Sequence, residues 1–128
     1  MKRLITAVLL LGLSAAGCGD SSQNPSGAGD LFVAYTGNGQ AGAILLTISG
    51  GPVESVSATG TQQVSSTSPY ANTTKVVILG EAGNGDLLKI HVPDISEVTH
   101  YNVRADQVAD KDSFALIDPA RHTFSVHK

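Results

Sequence analysis

"TKVVILGEAGNGDLLKIHVP", residues 74–93, holds two apolar runs separated by a cluster of Gly, Glu, Ala and Asn. The first is apolar at four successive positions, Val76 to Leu79. The second alternates, with Leu88, Ile90 and Val92 on one side and Leu87, Lys89 and His91 on the other. Both are too short for a helix of ten or more residues, and their β-branched content and period-two spacing predict strands. The alternating run is expected to bury one face and wet the other. The continuous run, like "AILLTIS" at residues 43–49, is expected to be a central strand covered on both faces. Gly-Asn-Gly occurs at 37–39 and 83–85, and both copies read as hairpin turns, since Gly and Asn tolerate positive φ.

The same alternation of apolar run and Gly, Pro, Asn or Asp cluster extends outward from this segment. It predicts strands at 31–36, 43–49, 53–59, 74–80, 87–92, 100–108, 114–117 and 123–127, with 62–68 a weaker ninth. Only Asp94 to Glu97 reads as helical, a brief capped turn after Pro93. Eight or nine short strands with a Val/Ile/Leu core, one Met and no Trp predict an all-β, two-sheet antiparallel β-sandwich over residues 31–128.

Upstream the character changes. Met1-Lys2-Arg3, an apolar run from Leu4 to Leu13 and the small residues Ser14 to Gly17 have the order of an export signal. About ten apolar residues rise only ~15 Å as a helix, against ~30 Å of hydrocarbon, so the run does not read as a transmembrane anchor. Cys18, the only cysteine, follows it and has no partner for a disulfide. Residues 19–30, "GDSSQNPSGAGD", contain no large apolar side chain and read as a tether of about 19 Å r.m.s. span. The organisation is therefore a signal at 1–17, Cys18 and tether at 18–30, and one domain. The whole chain carries a net charge of −3. Without residues 1–17 it has six basic and eleven acidic side chains, a net charge of −5, which argues against a nucleic-acid partner.

Ala15-Ala16-Gly17-Cys18 resembles the lipobox of bacterial lipoproteins. That resemblance implies cleavage between Gly17 and Cys18, a diacylglycerol on the Cys18 thiol and acylation, such as palmitate, of the new amine. It also implies a lipid-anchored protein of the cell envelope. Gly19, where an Asp would favour inner-membrane retention, points by the same resemblance to the outer membrane. The other reading is ordinary signal cleavage after Ala16. Residues 44–56 and 76–92, with their order of strand, glycine turn and alternating strand, are similar to cohesin-like and carbohydrate-binding-like β-sandwiches. Single-domain bacterial lipoproteins show the same ordering. The resemblance implies a binding fold and carries over no contact residue.

Residue patterns for chemistry are sparse. His91, His100, His122 and His127 show no metal-ligand spacing and read as surface histidines. Asp106, Asp110 and Asp112 could supply oxygens to Ca²⁺, but they lack the loop pattern of a calcium site and flank Lys111, so a solvated turn is the expectation. There is no G-x-S-x-G, and nothing fixes Glu54, Glu81 and Glu97 as a pair of catalytic carboxylates. Tyr70, in the loop "SPYAN", is the candidate binding residue, because an exposed ring there needs a reason. The expected function is a noncatalytic binding module without cofactor, meeting an envelope or extracellular protein. A glycan-binding module of an envelope uptake system is the alternative and a small hydrolase the third class.

Overall fold

The computed structural model describes residues 25–128, so Gly17, Cys18 and the expected export signal at 1–17 lie outside the described residues. Nine strands form: β1 (Gly29–Thr36), β2 (Ala41–Ser49), β3 (Ser55–Ala58), β4 (Gln63–Tyr70), β5 (Thr73–Leu79), β6 (Gly85–Val92), β7 (Asn102–Asp110), β8 (Leu116–Ile117) and β9 (Thr123–His127). They make a four-stranded sheet, β3-β6-β1-β9, and a five-stranded sheet, β4-β5-β2-β7-β8, with antiparallel pairing throughout. The expected all-β two-sheet sandwich is the observed one, and the weaker ninth strand is real.

Period-two alternation builds the core. Leu31, Val33 and Tyr35 of β1 and Leu88, Ile90 and Val92 of β6 point inward from one sheet. Ile44, Leu46 and Ile48 of β2 and Val76 and Ile78 of β5 meet them from the other. Each such side chain contributes roughly 1.5–3 kcal/mol on full burial. Laterally, β7 lies against β9 and β3 against β4, so the two sheets close on both sides.

The Gly-Asn-Gly segments are not hairpin turns. Residues 37–40 carry the chain from β1 in one sheet to β2 in the other, and residues 80–84 carry it from β5 to β6. The reason is strand pairing, since β1 pairs with β6 and β9 while β2 pairs with β5 and β7; the Asn84 side chain accepts the Gly37 N–H at 2.9 Å across the two crossings, and Asn38 folds back onto the Gln40 N–H at 3.2 Å. Leu87 also departs from the alternation. A bulge in the β1–β6 pairing matches Val33 with Leu88 and Ala34 with Asp86, so Leu87 has no partner and turns inward beside Leu88.

The sandwich has two distinct ends. Gly27, ahead of β1, accepts the Ile95 N–H at 2.9 Å and donates to the Asp94 carboxylate at 3.1 Å, which ties the tether to the 3₁₀ turn Ile95–His100. At this end Gly50 has φ +101, and a Cβ there would lie 1.8 Å from the His100 carbonyl oxygen, so only glycine lets β2 turn away toward β3. The opposite end holds four of the sheet-to-sheet crossings, β1 to β2, β3 to β4, β5 to β6 and β8 to β9, and the β7–β8 hairpin. β2, nine residues long, separates the two ends by about 27 Å at ~3.3 Å per residue.

Candidate functional site

β2 and β5 are inner strands, as their apolar runs predict, but only one of their faces is covered. The outer face of the five-stranded sheet stays open, because no described element packs on it. Register defines that face row by row. At the end far from the tether lie Gln63, Leu79, Ala43, Ala109 and Leu116 across β4, β5, β2, β7 and β8. Ser65, Val77, Leu45 and Gln107 form the next row, then Thr67, Lys75, Thr47 and Arg104. Tyr70, Thr73, Ser49 and Asn102 make the row nearest the tether. All the large apolar side chains found exposed among the described residues belong to this face or its rim: Tyr70 at 74%, Val77 at 38%, Leu79 at 49%, Phe114 at 79% and Leu116 at 68%.

Phe114 is raised on the β7–β8 hairpin. Its φ of +59 places a bulky side chain in the left-handed region, which costs about 1–2 kcal/mol. The hairpin can fold this closely over β2 because position 42 is glycine: a Cβ there would sit 2.5 Å from the Lys111 Cα. Its backbone is held by the Lys111 N–H to the Gln40 carbonyl at 2.7 Å and the Asp110 N–H to the Ala115 carbonyl at 2.8 Å. Around Phe114 stand Leu79, Glu81, Lys111 and Asp112, in a depression of about 470 Å³. The Lys111 ammonium reaches Glu81 at 2.9 Å, and that hydrogen bond and charge hold the Glu81 carboxyl below its usual value and raise Lys111.

The middle of the face is an apolar groove of about 290 Å³ lined by Leu45, Val77, Lys75 and the β4 residues Ser65 to Thr67. Beside it Asp106 is clamped. The Thr47 hydroxyl donates to it, Lys75 Nζ reaches it at 3.1 Å and Arg104 Nε at 3.2 Å. Partial burial alone would raise the Asp106 carboxyl, but these three donors outweigh it and hold it below the usual carboxylate value. A bulge between Leu45 and Leu46 in the β2–β7 pairing turns Asp106 toward this network.

The residues singled out for chemistry are scattered. Asp106 faces the groove, whereas Asp110 accepts the Asp112 N–H at 3.1 Å in the hairpin, so the three aspartates do not share a site. Among the described residues, no three His, Cys, Asp or Glu side chains converge for a metal. Glu54 meets His91, Glu97 meets His100 and Glu81 meets Lys111, each at its own place. His91 and His127 lie on the outer face of the four-stranded sheet, with Asp30 and Asp86 at 2.9 and 2.6 Å. His122 is not a surface histidine: it is 4% exposed, stacks on Tyr35 and its Nδ1 shares a hydrogen bond of 2.6 Å with the Tyr35 hydroxyl. Tyr70 is exposed on the open face, at the corner diagonally opposite Phe114.

Leu45, Val77, Leu79, Phe114 and Leu116 were not singled out by the sequence. The available signal was the run of apolar residues on both faces of β2 and β5. In comparisons with known proteins, no family model, no curated protein and no solved structure matches this chain. Among the described residues, no helix is long and apolar enough to cross a membrane.

Proposed function

We propose that this chain is a noncatalytic binding module of the cell envelope, anchored by lipid on Cys18 and docking a protein partner on the outer face of its five-stranded sheet. The observation that carries the reading is the one-sided placement of exposed apolar side chains. Tyr70, Val77, Leu79, Phe114 and Leu116 share one face, whereas the opposite sheet presents Asp30, Lys89, His91 and His127. Scattered exposed hydrophobics are ordinary, but a one-sided cluster signals an interaction surface. The apolar centre and polar margins, with Arg104, Lys75 and Asp106 beside the groove, match the make-up of protein interfaces. The lipobox-like Ala15-Ala16-Gly17-Cys18 and the cohesin-like strand order support anchoring and display.

Glycan binding remains the second reading, and Tyr70 alone favours it. A sugar platform there has one ring, since none of the described ring pairs includes Tyr70. The test is photocrosslinking in intact cells with a benzophenone side chain placed at Val77 or at Lys89 of the full chain. Protein adducts are expected from Val77 and not from Lys89. Equal labelling from both positions, or none from Val77, would overturn the docking face.

A further inference from the structure

The open face carries both a protrusion and a recess. Phe114 stands out at one corner, flanked by Glu81 and Asp112, and the groove over Leu45 and Val77 lies inward from it with Lys75 on its rim. A cavity of roughly 150 Å³ admits benzene, so a groove of about 290 Å³ has room for a phenyl ring. We propose that the partner on this face is a second copy of the same chain, in a two-fold dimer where Phe114 of each copy seats in the Leu45–Val77 groove of the other. This rests on the docking-face reading and names its occupant.

The face is self-complementary. A two-fold axis in the plane of the face, perpendicular to the line from Phe114 to the groove, exchanges protrusion and recess, so both contacts form at once. The charges follow the same exchange. Near Phe114, Lys111 is the one cation among Glu81, Asp110 and Asp112. Beside the groove, Lys75 and Arg104 share the single carboxylate of Asp106. The same axis therefore brings an acidic margin over a basic one, and likewise on the other side. A bilayer is the poorer occupant: Phe114 sits at the end away from the tether, and acidic groups surround it. An exposed aromatic held at positive φ is unfavourable twice over in a lone copy, and burial in a partner removes the first of these penalties.

The test uses two differently tagged full chains expressed together, with benzophenone at Gln107, which shares the row of Leu45 and Val77 but does not line the groove. An adduct of twice the chain mass carrying both tags is expected. Phe114→Gly and Asp112→Lys should each abolish that adduct, while Lys89→Glu on the opposite sheet leaves it intact. Phe114→Gly should leave the melting temperature unchanged or higher, which separates lost contact from lost folding. An adduct of any other mass would overturn the second copy while leaving the docking face standing, and no adduct would overturn both. A two-tag adduct that survives Phe114→Gly would overturn the seating of Phe114.

Discussion

His122 and His127 stand five residues apart on and beside one strand and respond to protons in opposite senses. Burial lowers the His122 pKa, with Asp118 opposing, so its ring is neutral near pH 7, where its Nδ1 shares a hydrogen bond with the Tyr35 hydroxyl. Burial in turn raises the Tyr35 pKa, which keeps that hydroxyl protonated. Below the unfolded histidine value the unfolded chain binds the proton more readily, so the His122 contribution is present above pH ~6.5 and is lost as pH falls. His127 is raised by its hydrogen bond to Asp86, and its contribution is present below pH ~6.5 and lost as pH rises through the folded value. His127 is half-exposed, so solvent screening shrinks its share and His122 sets the trend. Stability from urea unfolding is therefore expected to drop between pH 7.5 and 5.5. His122→Gln should cost about 1 kcal/mol at pH 7.5, one hydrogen bond to Tyr35, and flatten the drop. An unchanged slope in that variant would assign the acid sensitivity elsewhere.

At the scale of elements, β6 shows what pairing adds to pattern. Strict alternation puts Leu87 on the same outer face as Lys89, but the bulge opposite Val33 and Ala34 turns it into the core at 2% exposure. Leu87→Ala should therefore cost about 2–5 kcal/mol in urea unfolding, as for any buried leucine, while Lys89→Ala stays within about 0.5 kcal/mol. Equal small effects would return Leu87 to the surface. Strand positions were legible in the sequence where a strand has an inward apolar row and ends near Gly, Pro, Asn or Asp, as β1, β2, β5 and β6 do, and least so for β4, whose only partly buried apolar residue is Val64. Partners were less legible. Whether Gly-Asn-Gly makes a hairpin or crosses to the other sheet depends on which strands pair, β1 with β6 and β2 with β5, and those pairings join residues distant in the chain. Pro69 ended the expected weaker strand, yet β4 runs through it to Tyr70, because β4 is an edge strand with an irregularity between Thr67 and Tyr70. The open apolar face was hidden for a related reason. A strand apolar on both sides has the same sequence whether a second layer covers it or a partner must, so Val77 and Leu79 read as core. Tyr70 was visible because a ring between Pro69 and Asn72 has no apolar run to join, whereas Phe114 was absorbed into an expected strand that begins two residues later, at Leu116.

Over the whole molecule, three polarities coincide: an apolar face against a polar one, an acidic corner against a basic rim, and a tether at one end with Phe114 at the other. An anchor on Cys18 would convert the last of these into an orientation. Tyr70 and the 3₁₀ turn Ile95–His100 would lie toward the bilayer, and Phe114 would stand about 27 Å farther out. The net charge of −5 beyond residue 17 opposes any close approach of the domain to anionic lipid, so under the proposed anchoring acyl chains on Cys18 would be the sole source of attachment. The chain has no tryptophan, so Tyr70→Trp and Phe114→Trp each introduce a single indole reporter. In vesicles containing brominated lipid, quenching of the full lipidated chain should be stronger for Tyr70→Trp than for Phe114→Trp. Cys18→Ala should release the chain from the vesicles and abolish quenching in both. Stronger quenching of Phe114→Trp would mean that the apolar corner dips into the bilayer, and with it the reading of that corner as a protein contact would fail. Quenching that persists after Cys18→Ala would place the anchor in some other part of the chain.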